Sequence, residues 1–252
     1  MLLIDADILL YRCMHKYLED TTVYKSLTGD DDFTLGDDPL DRSTNFVTSF
    51  IQDLKDVCGS RGYMLVFSGR HNYRKMLVPS YKSHRTPLNP EQKTFKNELQ
   101  RLLCATHPNR SINHLEADDT IGILSEIPGS IICSIDKDML QIPGNHYNWN
   151  TQEQYHIDHE EAEYNFMLQT LMGDSADGYP GIKGIGIKKG RNILKRGVSW
   201  DVVVQAYKDN GLTYDDALRT AWLAKILVPG EYEQLTHSQS RIHLYKGPPI
   251  YI

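Results

Sequence analysis

Carboxylates recur in close groups along this chain, and each group sits where an element begins or ends. Asp5 and Asp7 follow the apolar run Leu2-Leu3-Ile4, and Asp136 and Asp138 follow the apolar run from Ser130 to Ile135. Glu116, Asp118 and Asp119 open one helix-forming stretch, and Asp174 and Asp177 follow another. On a helix Glu116 and Asp119 share one side, while Asp118 lies about 100° around it. Acids in a first helical turn complement the macrodipole, so one such cluster alone reads as a solvated helix start. Repetition at several element ends, twice directly past a buried strand, needs another account. Grouped carboxylates repel one another and stay ionised only beside a counter-charge. Hard divalent cations, which select oxygen ligands, supply it.

The formal net charge is −6, which as a single figure argues against a polyanionic partner. Its distribution argues the other way. Between Arg70 and Arg101 eight Lys and Arg stand against two Glu, and between Gly178 and Trp200 six Lys and Arg stand against no acid. Solvated helix faces are the plainer reading of these lysines, but Tyr73 and Tyr81 interleave the first stretch in the mixture that nucleic-acid contacts use. From Gly184 the glycines spell GxGxxxG with no strand before them, which is not a dinucleotide fingerprint, and no Walker lysine motif occurs. Gly181 to Gly190 reads instead as a helix, glycine turn, helix unit. Its amides and Lys183, Lys188 and Lys189 are suited to gripping a phosphate backbone. An acidic centre between two basic surfaces fits metal ions holding a polyanion.

Elements must place these groups. The pattern predicts a strand at Leu2–Ile4, a helix over 8–19, a buried strand at Tyr63–Phe67 and another from Ser130 to Ile135. A helix capped by Thr44 would turn Phe46, Phe50, Ile51, Leu54 and Val57 inward, and a second, opening at Asn89-Pro90, would bury Phe95, Leu99, Leu102 and Leu103. Thr28 to Arg42, with six Asp, reads as an exposed loop or disordered insertion. A hairpin over 146–157 precedes a helix from Asp158 to Met172, whose continued turn would carry Asp174 and Asp177. Helices over 201–210 and 214–228 and a strand at 242–245 complete the chain. The fold class expected is α/β: a mostly parallel sheet flanked by helices over 1–172, with an arch-like segment at 70–101, then a helical DNA-binding region over 173–252. In such sheets the carboxyl ends of the strands form the edge where sites are built. No apolar run approaches the roughly 20 residues of a membrane span, and the N-terminal residues are not those of a signal peptide, so a cytoplasmic protein is expected. Four Cys without CxxC spacing read as reduced thiols.

Leu3-Ile4-Asp5, Tyr81-Lys82-Ser83-His84-Arg85, Glu116-Ala117-Asp118-Asp119, Ser134-Ile135-Asp136-Lys137-Asp138 and Gly173 to Gly190 occur in one order along most of Met1 to Arg196. Together they resemble the 5'-nuclease superfamily, the flap endonucleases and 5'-3' exonucleases, and its short bacteriophage members in particular. The resemblance implies a PIN-like core that hydrolyses phosphodiester bonds of DNA from 5' ends and at 5' flaps, with removal of RNA primers from RNA–DNA hybrids as a further role. It implies that Asp5, Glu116, Asp118, Asp119, Asp136, Asp138, Asp174 and Asp177 hold two Mg2+ ions, with Mn2+ as substitute. Two ions about 4 Å apart activate a water and stabilise the leaving 3' oxygen. Lys82 and Arg85, with Asp136, would be catalytic, the two bases steadying the scissile phosphate. Arg74, Tyr81, Lys82, Arg85, Lys183, Gly184, Gly186, Lys188 and Lys189 would contact DNA, Tyr81 by stacking on a terminal base. A K+ ion held by backbone carbonyls near Gly184 and a monomeric state belong to the same expectation. One departure stands out: many family members carry an Asp just past the second apolar strand, where this chain has Phe67-Ser68-Gly69-Arg70. Asp7 is an extra acid that would compensate in part. A PIN-like ribonuclease and a non-catalytic DNA-structure binder are the alternatives. The lysines of the glycine turn argue against the first, and the number of acids against the second.

Overall fold

The computed structural model of the chain describes residues 1–19, 38–236 and 239–252. β1 (Leu2–Asp5) is the apolar run that opens the chain, and every residue of it is buried. It lies in the middle of a sheet, parallel to β2 (Tyr63–Val66) on one side and to β4 (Ile131–Cys133) on the other. Such a strand has helices over both faces, which is why Leu2, Leu3 and Ile4 are apolar in succession and do not alternate. β3 (Asn109–Arg110) extends the sheet beyond β2, while β5 (Gly144–Asn148) and β6 (Glu153–Ile157) extend it beyond β4. The order is β3-β2-β1-β4-β5-β6, and β6, the return strand of a hairpin, is the antiparallel member. The register sets Asp5 opposite Val66 and Ile4 opposite Cys133, so the chain leaves β1, β2 and β4 along one edge. Asp7, Ser68 and the stretch from Ser134 to Asp138 all follow those exits.

α1 (Ala6–Cys13) starts directly from Asp5 and widens into a π-helical turn over Met14–Glu19. α2 (Pro39–Cys58) begins earlier than its sequence pattern predicts. Asp38 accepts from the Leu40 amide at 3.0 Å, Pro39 takes the first helical position, and Gly59 ends the helix at φ 61°. Thr44 therefore lies inside the helix, where its hydroxyl donates to the Leu40 carbonyl; Val47, Ile51 and Leu54 are buried, and Val57 is 57% exposed. The insertion expected over Thr28 to Arg42 lies outside the described residues except at 38–42. α3 (Tyr73–Leu77) and α4 (Pro90–Thr106) follow β2, the latter started by a capping box of Asn89 and Gln92. α5 (Ala117–Leu124) leads into β4.

α6 (His159–Met172) packs with α7 (Ile187–Leu194), α8 (Trp200–Asp209) and α9 (Tyr214–Ala224) around Phe166, Leu171, Ile182, Val203, Tyr207 and Ala221. The division expected at 172 thus falls within one packed unit that begins with α6. After α6 the chain does not continue a helical turn. It makes a short hairpin of β7 (Gly173–Asp174) and β8 (Tyr179–Pro180). Gly173, at φ 68°, and Gly181 approach so closely that a Cβ on Gly173 would lie 2.1 Å from the Gly181 nitrogen. Nor is the remainder all helical. α9 stops at Ala224, and β9 (Tyr232–Gln234), β10 (Ser240–His243) and β11 (Pro249–Tyr251) form an antiparallel sheet in the order β11-β10-β9. Ile242 and Leu244 pack against Tyr73, Ile112, Leu115 and Leu227, closing this sheet onto the base of the arch-like segment. Among the described residues no helix is long and apolar enough to cross a membrane.

Candidate active site

Asp5 ends β1 and is 5% exposed. Its Oδ2 accepts from the Ser134 hydroxyl at 3.1 Å, and its Oδ1 is buried with no hydrogen-bond donor. Burial, with Asp7 and Asp136 alongside, pushes its pKa up to about 7. The Ser134 hydroxyl also accepts from the Asp136 amide at 3.1 Å, and Asp136 accepts from the Asp138 amide at 2.9 Å, opening a 3-10 turn over Lys137–Gln141. That tight exit from β4 brings both carboxylates to one side. Asp138 is pushed up to about 6 by burial and by the charge of Asp136.

Glu116 caps α5, and its amide donates to Asp119 Oδ2 at 3.3 Å while its side chain accepts from the Asp119 amide. Asp119 is wholly buried. Arg74 holds it as a fork, Nη1 to Oδ2 at 2.6 Å and Nη2 to Oδ1 at 2.8 Å, and the Leu227 amide adds a bond to Oδ1 at 3.1 Å. The same guanidinium donates to Glu116 Oε2 at 3.2 Å, to the Leu223 carbonyl at 3.0 Å and to the Lys225 carbonyl at 2.6 Å. Arg74 was expected at the DNA. It is instead 1% exposed and consumed within the fold. Asp119 has a carboxylate oxygen within 4.8 Å of those of Glu116 and Asp118, but both of its oxygens serve Arg74. It orients the helix start that presents its two neighbours. Burial, with Asp119 and Glu116 close by, pushes Asp118 well above the usual carboxylate range. Burial also opposes ionisation of Glu116, yet Arg74 and Lys82 outweigh it and hold that carboxyl down at about 2.

Lys82 adopts a left-handed backbone at φ 57°, fixed by its amide donating to the Asp177 carbonyl at 2.8 Å. Its ammonium contacts Glu116 Oε1 closely and lies 3.3 Å from Asp177 Oδ2. Arg85 donates to Asp177 Oδ1 at 2.6 Å and to the Ala176 carbonyl at 3.1 Å. The Tyr81 hydroxyl lies 2.9 Å from Glu116 Oε2 and 2.8 Å from Asp177 Oδ2; with one proton to give, it is shared by two carboxylates. Tyr81 is 2% exposed and its ring lies against Tyr179, so it does not offer the base-stacking face expected of it. Asp174 shapes its hairpin by accepting from the Ala176 and Asp177 amides at 2.7 and 3.1 Å, and it pairs with Lys137 at 3.2 Å.

One cavity of about 430 Å³ collects Asp5, Asp7, Glu116, Asp118, Asp136, Asp138 and Asp177, together with Lys82, Arg85 and Lys96. Of the expected metal ligands, Asp119 and Asp174 stand outside its lining. Asp7 stands in it. Where many family members have Asp, the Ser68 hydroxyl accepts from the Ala117 amide at 3.0 Å, and the Ser68 amide lies 3.3 and 3.4 Å from the two oxygens of Asp7. The cavity fits divalent ions: seven carboxylates line it, and Asp5 contributes a buried oxygen that no protein donor satisfies. Sequence reasoning passed over Lys96 and Ser134. Lys96 is half-buried, and nothing in the sequence separates it from the exposed Lys93 and Arg101 of the same helix, but a hydroxyl two residues before Asp136 is the kind of group that orients a strand-end carboxylate. Further along, Lys183, Lys188 and Lys189 are exposed. Gly184 takes φ 78°, Gly186 precedes α7 with open space where a Cβ would stand, and both glycines are exposed.

Residues 1–167 match the family described as 5'-3' exonuclease, N-terminal resolvase-like domain. An exonuclease of Escherichia phage T7 is 28% identical over 213 residues, covering 67% of this chain and 69% of its own. A flap endonuclease Xni of Shewanella baltica is 33% identical over 146 residues, covering 52% of this chain and 56% of its own. Among solved structures, the T5 5'-exonuclease with bound zinc superposes with a TM-score of 0.64 at 19% identity, covering 89% of this chain and 88% of that one. A T5 flap endonuclease complex with DNA and metal ions gives a TM-score of 0.67 at 19% identity over the same shares. The strand order, the carboxylates at the strand ends and the match over two-thirds of the sequence agree: the chain belongs to the 5'-3' exonuclease family.

Proposed function

We propose that this chain is a divalent-metal-dependent 5'-nuclease that hydrolyses DNA from 5' ends and at 5' flaps. The observation that carries the proposal is the placing of Lys82 and Arg85 among the carboxylates of one cavity. Cations embedded in an acidic site suit a phosphate held over metal ions. Asp5, Glu116, Asp118, Asp136, Asp138 and Asp177 would hold the ions, with Asp7 beside them. When bound, the ions lower the pKa of a water and neutralise charge on the leaving 3' oxygen. Lys82 and Arg85 orient the phosphate and offset the negative charge that grows on it. Lys183, Lys188 and Lys189, with the exposed Gly184 and Gly186, grip the phosphate backbone away from the cut.

The finer points follow the same reasoning. Mg2+ is the ion, with Mn2+ as substitute, because the donor set is oxygen only. A K+ ion bound by carbonyls of the turn at Gly184, RNA primers as an alternative 5' segment, a monomeric state and a cytoplasmic setting complete the proposal. Cleavage of a 5'-flap duplex and a blunt duplex, with Mg2+ and with EDTA, tests it. Metal-dependent cutting from the 5' side that disappears in Asp136→Ala is the expected result. Tight DNA binding without cutting in either Mg2+ or Mn2+ refutes catalysis and favours a DNA-structure binder.

A further inference from the structure

A second cavity, of about 620 Å³, shares Ser68, Lys82 and Glu116 with the acidic one. Its other walls are of the opposite character, with Arg70, His71, Lys75 and His114 around it. The one carboxylate in its lining is Glu116, already engaged by Arg74, Tyr81 and Lys82. Arg70 and Lys75 are exposed, and neither side chain makes a hydrogen bond or ion pair among the described residues. The imidazoles of His71 and His114 stack with centroids 5.2 Å apart.

The cavity is built on a fixed frame. Gly69 donates its amide to the Leu115 carbonyl at 2.8 Å and Tyr73 donates to the His114 carbonyl at 2.9 Å, joining the loop after β2 to the loop before α5. The two loops approach so closely that a Cβ on Gly69 would lie 2.2 Å from the Ile112 carbonyl oxygen. The cations on these loops therefore keep a set position relative to Glu116 and Lys82.

We infer that this basic cavity receives the terminal 5'-phosphate of the strand to be cut. The inference rests on the nuclease reading above and names the end group that site selects. A strand whose scissile phosphate lies among the carboxylates has its next phosphate close by, and the shared wall at Lys82 connects the acidic cavity to this one. A phosphate monoester carries between about −1.5 and −2 at neutral pH and offers three acceptor oxygens, more than the single charge of an internal diester. A guanidinium, two ammonium groups and two imidazoles around one space match that greater charge. Internal diesters present the same chemistry more weakly, so the experiment separates the two sources.

Affinities are measured in EDTA, by anisotropy of a 3' label, for three duplexes. One ends in a 5'-phosphate, one in a 5'-hydroxyl, and one in an additional unpaired nucleotide with a 5'-hydroxyl, which supplies an internal diester. The 5'-phosphate duplex is expected to bind about tenfold more tightly than either other, the size of one charge-assisted hydrogen bond or more. In Arg70→Ala/Lys75→Ala that preference is expected to vanish, with affinity for the hydroxyl duplex kept within about threefold. Equal affinity of the wild type for phosphate and hydroxyl ends overturns the inference while leaving the nuclease reading standing. A preference that survives the double substitution, or tightest binding of the extra-nucleotide duplex, also overturns it. A protein that binds none of the three in EDTA or when Ca2+ replaces it fails the nuclease reading itself, and the pocket assignment falls with it.

Discussion

Lys82 has two competing claims on it. In the metal-free fold its ammonium neutralises Glu116 and approaches Asp177, the role a divalent ion would take; over a bound substrate it would serve the phosphate. Lys82→Met should therefore move two observables in opposite directions. Mn2+ binding, read by calorimetry or by loss of free-ion EPR signal, is expected to tighten because an internal competitor is gone. Cleavage is expected to fall by about 10²–10³, the usual loss when one charge-stabilising donor is removed. Parallel weakening of both would show that Lys82 supports the metal ligands and nothing more. The carboxylates carry a second prediction. In the unfolded chain Asp5 and Asp138 titrate near 3.8, and in the metal-free fold they titrate at about 7 and about 6. Between these values the folded state binds more protons than the unfolded one, so stability falls as pH rises from about 4 to 7. Glu116, depressed to about 2, works in the other direction but only below its ordinary value of 4.5. The EDTA-treated protein is expected to melt roughly 5–10 °C higher near pH 5.5 than near pH 8, a few kcal/mol spread over a chain of this size. Millimolar Mg2+ should remove the difference by making ionised carboxylates favourable; a flat profile in EDTA would show that the acids do not crowd one another. These strand-end acids were legible in the sequence because an apolar run followed at once by Asp is a local pattern. The brace that Arg74 forms on Asp119 was not: Arg74 shares its residue type with the exposed bases around it, and only burial tells them apart.

At the scale of elements, Arg74 is the fastening. It ties the start of α3 to the first turn of α5, to the last turn of α9 at Leu223 and to Lys225 just past it, where the chain leads toward the C-terminal sheet. Removing one partner of a buried pair leaves the other charge uncompensated, so Arg74→Met should cost about 3–5 kcal/mol in chemical denaturation. Arg74→Lys should recover little of it, because an ammonium cannot span both oxygens of Asp119 and two carbonyls. Arg74→Met/Asp119→Leu is expected to be less destabilised than Arg74→Met alone; additive costs would mean that the two residues do not depend on each other. The same fastening shows why the elements were only partly readable. β1, β2 and β4, with α4 and α6, declare themselves through continuous apolar runs, a proline start and strong caps. The start of α2 was misplaced because Thr44 looks like a cap, although Asp38 and Pro39 provide a better one. Of the C-terminal sheet only the strand expected at 242–245 was read, overlapping β10; the other two strands have three residues each, too short to show an alternating pattern. The hairpin at Gly173 was taken for a helical turn because Asp174 and Asp177 are spaced as on a helix, whereas Asp174 uses its side chain to close a turn.

Across the whole molecule, the net charge of −6 conceals a separation of charge that a DNA-binding enzyme requires. Acids converge inside one cavity, and the exposed bases of α7 and the turns on either side of it, Lys183, Lys188, Lys189, Arg191, Lys195 and Arg196, have no acid among them between Gly178 and Trp200. Two consequences follow for a strand approaching from solution. Without divalent ions the cavity repels the phosphates that α7 attracts, so affinity should rise when Ca2+ replaces EDTA. A grip by α7 would act through counter-ion release, which would make log Kd linear in log salt with a slope set by the number of phosphates neutralised. Lys188→Ala/Lys189→Ala should reduce that slope by about 1.8, near 0.9 for each lost phosphate contact, with the same change for phosphorylated and hydroxyl ends. Anisotropy titrations across a salt series measure it directly. A slope that stays unchanged would place the duplex on another face, and the eight bases between Arg70 and Arg101 would then be the surface to neutralise next.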